Sequence, residues 1–152
     1  MLLDSSAVNV EQTAPIVFLD SSVITEYLRG ETWAGQLFAI ESRHGIKFAV
    51  NPIVLQELLL TADSATAPEL HRILEKILIL PVELRRAESM VSRSRGLNSR
   101  SAHANDVLIL SSAEKCDYFA TNDARQREIF ATVGAAPQVV TPRELVTRLQ
   151  SA

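Results

Sequence analysis

The stretch Ile16-Val17-Phe18-Leu19-Asp20-Ser21-Ser22 (IVFLDSS) places four apolar residues directly before an acid and two hydroxyls. An apolar run of this length is typical of a short strand that is buried on both faces. A serine just after such a strand can cap a helix, so we expect the chain to pass from strand to helix here. A buried strand that leads into a helix is the opening unit of an α/β fold with a parallel sheet.

The same alternation of short strands and helices continues along the chain. Gly30 and Gly45 each follow a helical segment and predict its end, whereas Asn51-Pro52 predicts a helix start. The pattern predicts strands at 16–20, 46–50, 78–82, 117–121 and 138–140 and helices at 21–29, 32–43, 51–62, after 68, and at 83–95, 104–115, 124–131 and after 141. We therefore predict an α/β fold, with a central, mostly parallel sheet and helices on both faces.

Length and composition indicate one folded domain. The chain has 152 residues, and we expect a domain over residues 15–150 behind a polar, flexible lead at 1–14. Apolar residues make up 47% of the chain, which argues against disorder. No apolar run approaches the roughly 20 residues that span a bilayer, and no secretory signal is indicated. The single cysteine, Cys116, rules out an internal disulfide and fits a cytoplasmic protein.

Four acidic residues occupy positions that need an explanation. Asp20 and Asp123 each follow a predicted strand, so both should lie at the carboxyl edge of the sheet, where sites of parallel sheets form. Glu57 and Asp106 lie in apolar helical segments, where a carboxylate is costly to ionise without a positive partner. Converging carboxylates repel one another, and a hard cation such as Mg²⁺ or Mn²⁺ removes that repulsion. The residues predict an acidic metal site, and no histidine or cysteine cluster indicates zinc.

Simpler roles stay open for each of these residues taken singly. Asp20 and Asp123 could be helix N-caps, as could Asp106, although Asn105 competes for that role. Glu57 could reach solvent along a narrow polar stripe of its helix. The occurrence of all four acids in one strand–helix frame favours a shared site.

Basic residues concentrate in one window of an otherwise acidic chain. The net charge is −3, which argues against a strong nonspecific nucleic-acid binder. Between Leu84 and Asn105, however, there are five arginines and one acid. Arg93, Arg95 and Arg100 lie around a glycine and could contact phosphates near the acidic site. A solvated helix face explains the same composition equally well.

The acidic segments resemble the PIN domain, and within it the small toxin ribonucleases of the VapC type. The resemblance covers about Ile16 to Leu149 and rests on four segments in order: Ile16–Ile24 with Asp20, Val54–Leu58 with Glu57, Asn105–Leu110 with Asp106, and Phe119–Asp123. There are two departures from the family pattern. Val107 stands where a small residue often follows the third acid, and Ala124–Arg127 has no aromatic where one often follows the fourth.

The resemblance implies an endoribonuclease that depends on Mg²⁺ or Mn²⁺ and hydrolyses RNA phosphodiester bonds. Asp20, Glu57 and Asp106 would hold a first cation, and Asp123 would hold a second cation or position the attacking water. Substrate contacts would come from Ser21, Thr121, Asn122, Arg93, Arg95 and Arg100, although caps explain the hydroxyls and the amide equally well. The resemblance further implies the toxin of a toxin–antitoxin pair, with a small antitoxin protein and a homodimer as partners. The lack of a long apolar run predicts no membrane association.

Three other classes of protein remain as alternatives, and each can be tested. A phosphatase of the haloacid-dehalogenase type also begins with an aspartate after a strand, but it needs a second aspartate where this chain has Ser22. A PIN-fold binding or scaffold protein without strong catalysis would fail to respond to Mn²⁺. A structure-specific DNA nuclease would prefer flapped DNA to single-stranded RNA.

Overall fold

A computed structural model describes residues 14–93, 100–133 and 137–151, without the side chains at 42, 43, 100–104 and 133. The expected flexible lead at 1–14 therefore lies outside the described residues, apart from Ala14. The described strands are β1 (Ile16–Leu19), β2 (Lys47–Val50), β3 (Leu78–Ile79), β4 (Tyr118–Ala120) and β5 (Gln138–Val140). The described helices are α1 (Ser21–Leu28), α2 (Thr32–His44), α3 (Pro52–Thr61), α4 (Ala67–Leu74), α5 (Leu84–Arg93), α6 (Arg100–Ala113), α7 (Ala124–Val133) and α8 (Pro142–Ser151).

The strands form one sheet in the order β3-β2-β1-β4-β5, and every described pairing is parallel. The chain leaves β1 toward β2 on one side, whereas it leaves β4 toward β5 on the other. The crevice between the carboxyl ends of β1 and β4 is thus the topological switch point, the place where open α/β sheets bind ligands. Leu19 pairs with Ala120 in this register, so the residues that follow both strands meet at one edge.

Helices cover both faces of the sheet, as predicted. On one side α1 packs against α2, which packs against α8, and on the other α5 packs against α6 and α7. Phe18, Phe48 and Phe119 on the three central strands are fully buried, with the rings of Phe18 and Phe119 5.8 Å apart. Apolar burial on both faces explains why the strands read as continuous apolar runs.

Local signals act as expected at several helix ends. Gly45 takes the left-handed conformation, φ 66°, that ends α2, because it has no Cβ to clash there. Asn51 caps α3 by accepting hydrogen bonds from the backbone amides of Ile53 and Val54. Pro52 follows at the first turn, where its missing N–H costs nothing.

Two predicted boundaries differ from the structure by more than two residues. The strand predicted at 78–82 is only Leu78–Ile79, because Pro81 has no N–H to donate and the strand lies at the edge of the sheet. The helix predicted from 104 begins at Arg100, since polar residues extend it toward its amino end without an apolar pattern to reveal them. Asp106 consequently lies inside α6, and the N-cap role considered for it is excluded.

Candidate active site

Asp20 occupies the switch point and is almost completely enclosed, at 4% exposure. Its backbone amide continues the sheet by donating to the carbonyl of Ala120, 3.0 Å away. Its Oδ2 accepts hydrogen bonds from the hydroxyls of Ser22 (2.8 Å) and Thr121 (2.9 Å). Asp20 stands at the N-cap position of α1 but makes no side-chain capping bond, so capping does not account for its burial.

Burial raises the pKa of Asp20 above its ordinary value, and the hydroxyl hydrogen bonds from Ser22 and Thr121 oppose that rise. The negative charge of Asp123 adds a further, smaller rise in the pKa of Asp20. The environment therefore favours a neutral carboxyl, or a carboxylate beside a cation. None of the described lysines or arginines forms an ion pair with Asp20.

Glu57 lies on α3 and reaches the same region from the β2 side. The hydroxyl of Ser21 donates to its Oε1 at 2.9 Å, which links α3 to the start of α1. Desolvation raises the pKa of Glu57, and the charges of Asp20 and Asp106 raise it further. Glu57 is half-buried, and its neighbours Leu59 and Leu60 are exposed, so its helix reaches solvent on this side.

Asp106 enters from α6, on the opposite face of the sheet. Its Oδ1 accepts a hydrogen bond of 3.2 Å from the side-chain amide of Gln126. Partial burial raises the pKa of Asp106, and Asp123 and Asp20 raise it further. The charge of Asp20, which directly precedes α1, therefore acts on carboxylates carried by α3 and α6.

Asp123 differs from the other three acids because it is exposed. Its Oδ1 accepts a hydrogen bond from the backbone amide of Arg125, 2.9 Å away, in the manner of a cap on α7. The capping role considered for Asp123 is therefore present. Its charge still contributes to the raised pKa values of Asp20 and Asp106, so it lies at the rim of the same acidic region.

The donor set suits a hard divalent cation in chemistry. Its oxygen ligands are carboxylates whose burial and mutual repulsion disfavour ionisation, and a cation would reverse both effects. In the described part of the chain, however, no three His, Cys, Asp or Glu side chains lie close enough together to hold an ion. The acidic region is therefore an open arrangement, and a cation would have to draw its carboxylates together or bind some of them through water.

The other predicted contact residues fall into different places. Thr121 is fully buried behind Asp20, so it supports that carboxylate and does not face a substrate. Asn122 is exposed, and its side-chain amide donates to Glu26 Oε1 at 2.7 Å. Arg93 is exposed at the end of α5. Arg95 and the side chain of Arg100 lie outside the described residues.

Two buried amides were missed by the sequence reasoning. Gln126, at 2% exposure, lies between Thr121 and Asp106, with its Oε1 3.3 Å from Thr121 Oγ1. Asn51 was recognised as a cap only, yet its Nδ2 also donates to the Leu108 carbonyl and to Ser112 Oγ, both at 3.0 Å. No pattern in Ala124–Arg127 marks Gln126 as buried, because its burial depends on the distant elements that pack around it.

A groove of about 490 Å³ runs from the acidic region along α1 and α3. Ser21, Ser22 and Glu57 line its inner end, and Arg29 and Leu60 line it farther out. A chain segment lying in this groove would meet the carboxylates at one end and a guanidinium along it. The arrangement can accommodate an extended ligand beside the acidic residues.

Comparison with known proteins defines the class to which this fold and site belong. The family model described as PIN domain matches residues 17–130, so the chain belongs to the PIN-domain family. The predicted family is confirmed, and proteins of this family are in general nucleases that use divalent metal ions. No curated protein matches the chain.

Solved structures share the fold at low sequence identity. One is a chain of the crystal structure of VapBC2 from Rickettsia felis bound to a DNA fragment from their promoter. It is 17% identical to this chain, with a TM-score of 0.60, over 82% of this chain and 96% of that one. Among the described residues, no helix has both the length and the apolar character needed to cross a membrane.

Proposed function

We propose that this protein is a Mg²⁺- or Mn²⁺-dependent endoribonuclease that hydrolyses RNA phosphodiester bonds. The observation that carries the proposal is Asp20, a buried carboxylate at the switch point without a cationic partner among the described residues. The charge of Asp20 raises the pKa values of both Glu57 and Asp106, and the charge of Asp106 adds to the rise at Glu57. Membership of the PIN-domain family supports the nuclease class.

Each inner carboxylate has a neutral hydrogen-bond donor that orients it. Ser22 and Thr121 hold Asp20, Ser21 holds Glu57, and the Gln126 amide holds Asp106. Neutral donors fix a carboxylate without cancelling its charge, which leaves that charge available to a metal ion. Asp20, Glu57 and Asp106 would hold the ion, and a bound ion would supply a lowered pKa of its water and a positive charge for the leaving oxygen. Asp123, at the exposed rim, would hold a second ion or orient the attacking water.

The biological role we propose is the toxin of a toxin–antitoxin pair, with a small antitoxin protein as partner. Support comes from the fold shared with a chain of a VapBC2 structure. Exposed Leu59 and Leu60 on α3 offer apolar surface to an antitoxin or to a second copy of the chain. A homodimer and a cytoplasmic location belong to the same proposal.

Asp20→Asn and Asp106→Asn should each lower cleavage of single-stranded RNA by at least about a hundredfold while the protein stays folded. The substitution keeps the size of the side chain but removes the charge that attracts the cation. Cleavage rates at matched Mg²⁺ or Mn²⁺, with circular dichroism for folding, measure the effect. Asp63→Asn is a matched control, because Asp63 is exposed and its side chain bonds only within its own turn among the described residues.

Full cleavage by Asp20→Asn would contradict the site assignment. Faster cleavage of flapped DNA than of single-stranded RNA would identify the protein as a DNA nuclease and contradict the proposed ribonuclease activity. The second candidate is a PIN-fold nucleic-acid-binding protein without strong catalysis, which the open spacing of the carboxylates favours. Nucleic-acid binding without cleavage at any Mn²⁺ concentration would establish it.

A further inference from the structure

The single tryptophan of the chain lies on the surface near the acidic region. Trp33 is in the first turn of α2 and is 38% exposed. The guanidinium of Arg143, at the start of α8, lies over the ring at 5.2 Å from its centroid. Arg143 and Trp33 therefore present a flat aromatic surface whose exposed area would gain free energy from a stacked ligand.

A cavity of about 340 Å³ opens beside this ring, and we call it the Trp33 pocket. It is lined by Glu26, Glu31, Trp33, Asn122, Thr141, Pro142 and Arg143. Asn122 and Thr141 follow β4 and β5, so the pocket lies at the same sheet edge as the acidic region. Glu26 lines both the Trp33 pocket and the groove that contains Glu57, so the two are neighbours.

The pocket offers hydrogen-bond acceptors that the described residues leave unused. Glu26 accepts the Asn122 amide through Oε1, while its Oε2 has no hydrogen-bond partner in the described part of the chain. The Glu31 carboxylate likewise forms no ion pair or side-chain hydrogen bond there. Two carboxylates repel a phosphate but accept N–H groups from a planar, neutral ligand.

We propose that the Trp33 pocket binds one nucleobase of a single-stranded RNA whose backbone passes the acidic region, an inference that rests on the proposed function. Stacking on Trp33 supplies affinity that any base can use. Glu26 and Glu31 accept hydrogen bonds from an exocyclic amino group, which cytosine, adenine and guanine carry and uracil lacks. The pocket thus prefers an amino-bearing base to uracil next to the cleavage position.

Interhelical packing is the competing role for the same residues. Since α2 packs against α8, the Arg143–Trp33 contact could serve only to hold these two helices together. In that case nucleotides would leave the tryptophan environment unchanged. Trp33 itself reports the difference, because it is the sole tryptophan in the chain.

The first test titrates CMP, AMP, GMP and UMP into the Asp20→Asn protein in EDTA and follows tryptophan emission. N-acetyltryptophanamide titrated in parallel corrects for absorption by the nucleotides. We expect saturable quenching, with CMP, AMP and GMP binding at least about threefold more tightly than UMP. Ribose 5-phosphate should not quench. Absence of saturable quenching, or equal quenching by ribose 5-phosphate, overturns the proposal.

The second test compares RNA binding by Trp33→Leu, Trp33→Phe and Arg72→Ala, each in the Asp20→Asn background. Trp33→Leu should weaken binding about tenfold, whereas Trp33→Phe should retain most of it, because phenylalanine can still stack. Arg72→Ala is the control for a general surface change, since Arg72 is exposed and pairs with Glu69 outside the pocket. Equal binding by all three variants overturns the proposal.

Glu31→Ala should reduce the preference for CMP over UMP while quenching persists, because Glu26 remains as the second acceptor, and an unchanged preference would exclude Glu31 as an acceptor. These measurements need no cleavage, so they separate the pocket from the nuclease. Quenching without any metal-dependent cleavage would retain the pocket and reject the proposed function. Cleavage of RNA without quenching would retain the proposed nuclease function and reject the nucleobase pocket.

Discussion

At the residue scale, the neutral side-chain amide of Gln126 lies between Asp106 and Thr121, the residue that binds Asp20. Gln126 donates to Asp106 and lies against the Thr121 hydroxyl, whose single proton is donated to Asp20 at the shorter distance of 2.9 Å. A lysine at this place would neutralise the carboxylates and compete with a metal ion. Gln126 therefore orients Asp106 and preserves its charge.

Gln126→Met should weaken Mn²⁺ binding about tenfold, because methionine fills the space but cannot donate to Asp106. Isothermal titration of Mn²⁺ measures this effect directly, and the loss of cleavage should follow it. Gln36→Met is the matched control, since Gln36 is exposed on α2. A folded Gln126→Met protein with unchanged Mn²⁺ affinity would show that the amide has only a packing role.

At the element scale, Asn51 determines where α3 starts and how it sits against α6. Its carbonyl oxygen caps α3, while its amide nitrogen binds the Leu108 carbonyl and the Ser112 hydroxyl of α6. Ser112 in turn donates to the Pro81 carbonyl at 2.6 Å. Because Glu57 and Asp106 are carried by these two helices, the Asn51 contacts help to set their relative placement.

Asn51→Ala should lower the free energy of unfolding by about 2–4 kcal/mol, since it removes a cap and leaves buried polar groups without a partner. Asn51→Ser should cost less, because a serine hydroxyl can still cap α3. Chemical denaturation of both variants measures the difference. Equal losses would mean that the cap contributes little and that the contacts to α6 dominate.

The elements themselves were largely predictable, but their ends were not. The apolar runs of β1, β2 and β4 and the glycine and Asn-Pro signals predict most of the strand–helix order. The predicted start of α6 was wrong, because its first turn is polar and lacks the periodic apolar residues that indicate a helix. Asp106 was consequently taken for a residue near the helix start, although the structure places it well inside the helix.

At the scale of the whole molecule, the acidic region makes stability depend on pH and on cations. Asp20, Glu57 and Asp106 have pKa values above their ordinary ones. A raised pKa in the folded state means that the unfolded chain releases its protons first as pH rises. These three residues therefore contribute stability at acidic pH that is lost as pH rises through their folded-state pKa values.

In EDTA, the melting temperature of the wild-type protein should fall relative to Asp20→Asn as pH rises from the ordinary aspartate pKa of 3.8 through the raised folded-state pKa of Asp20. Asp63, Glu83 and Glu144 have lowered pKa values and also make stability depend on pH. Their contribution is the same in both proteins, so it cancels in the difference between the two melting temperatures. Mn²⁺ should restore the wild type and leave Asp20→Asn nearly unchanged. A pH-independent difference would contradict the electrostatic picture of the site.

The sequence by itself determined the α/β class and the parallel sheet, and it singled out the four acids as candidates, because apolar runs, turn residues and isolated charges are local signals. Only the tertiary structure decided what surrounds each acid. Asp20 is enclosed, Asp123 is an exposed cap, and Gln126 and Asn51 are buried connectors, since burial depends on which distant elements pack together. The tertiary structure also decided that Trp33 and Asn122 line one pocket, because α2 and the end of β4 are brought together only in the fold.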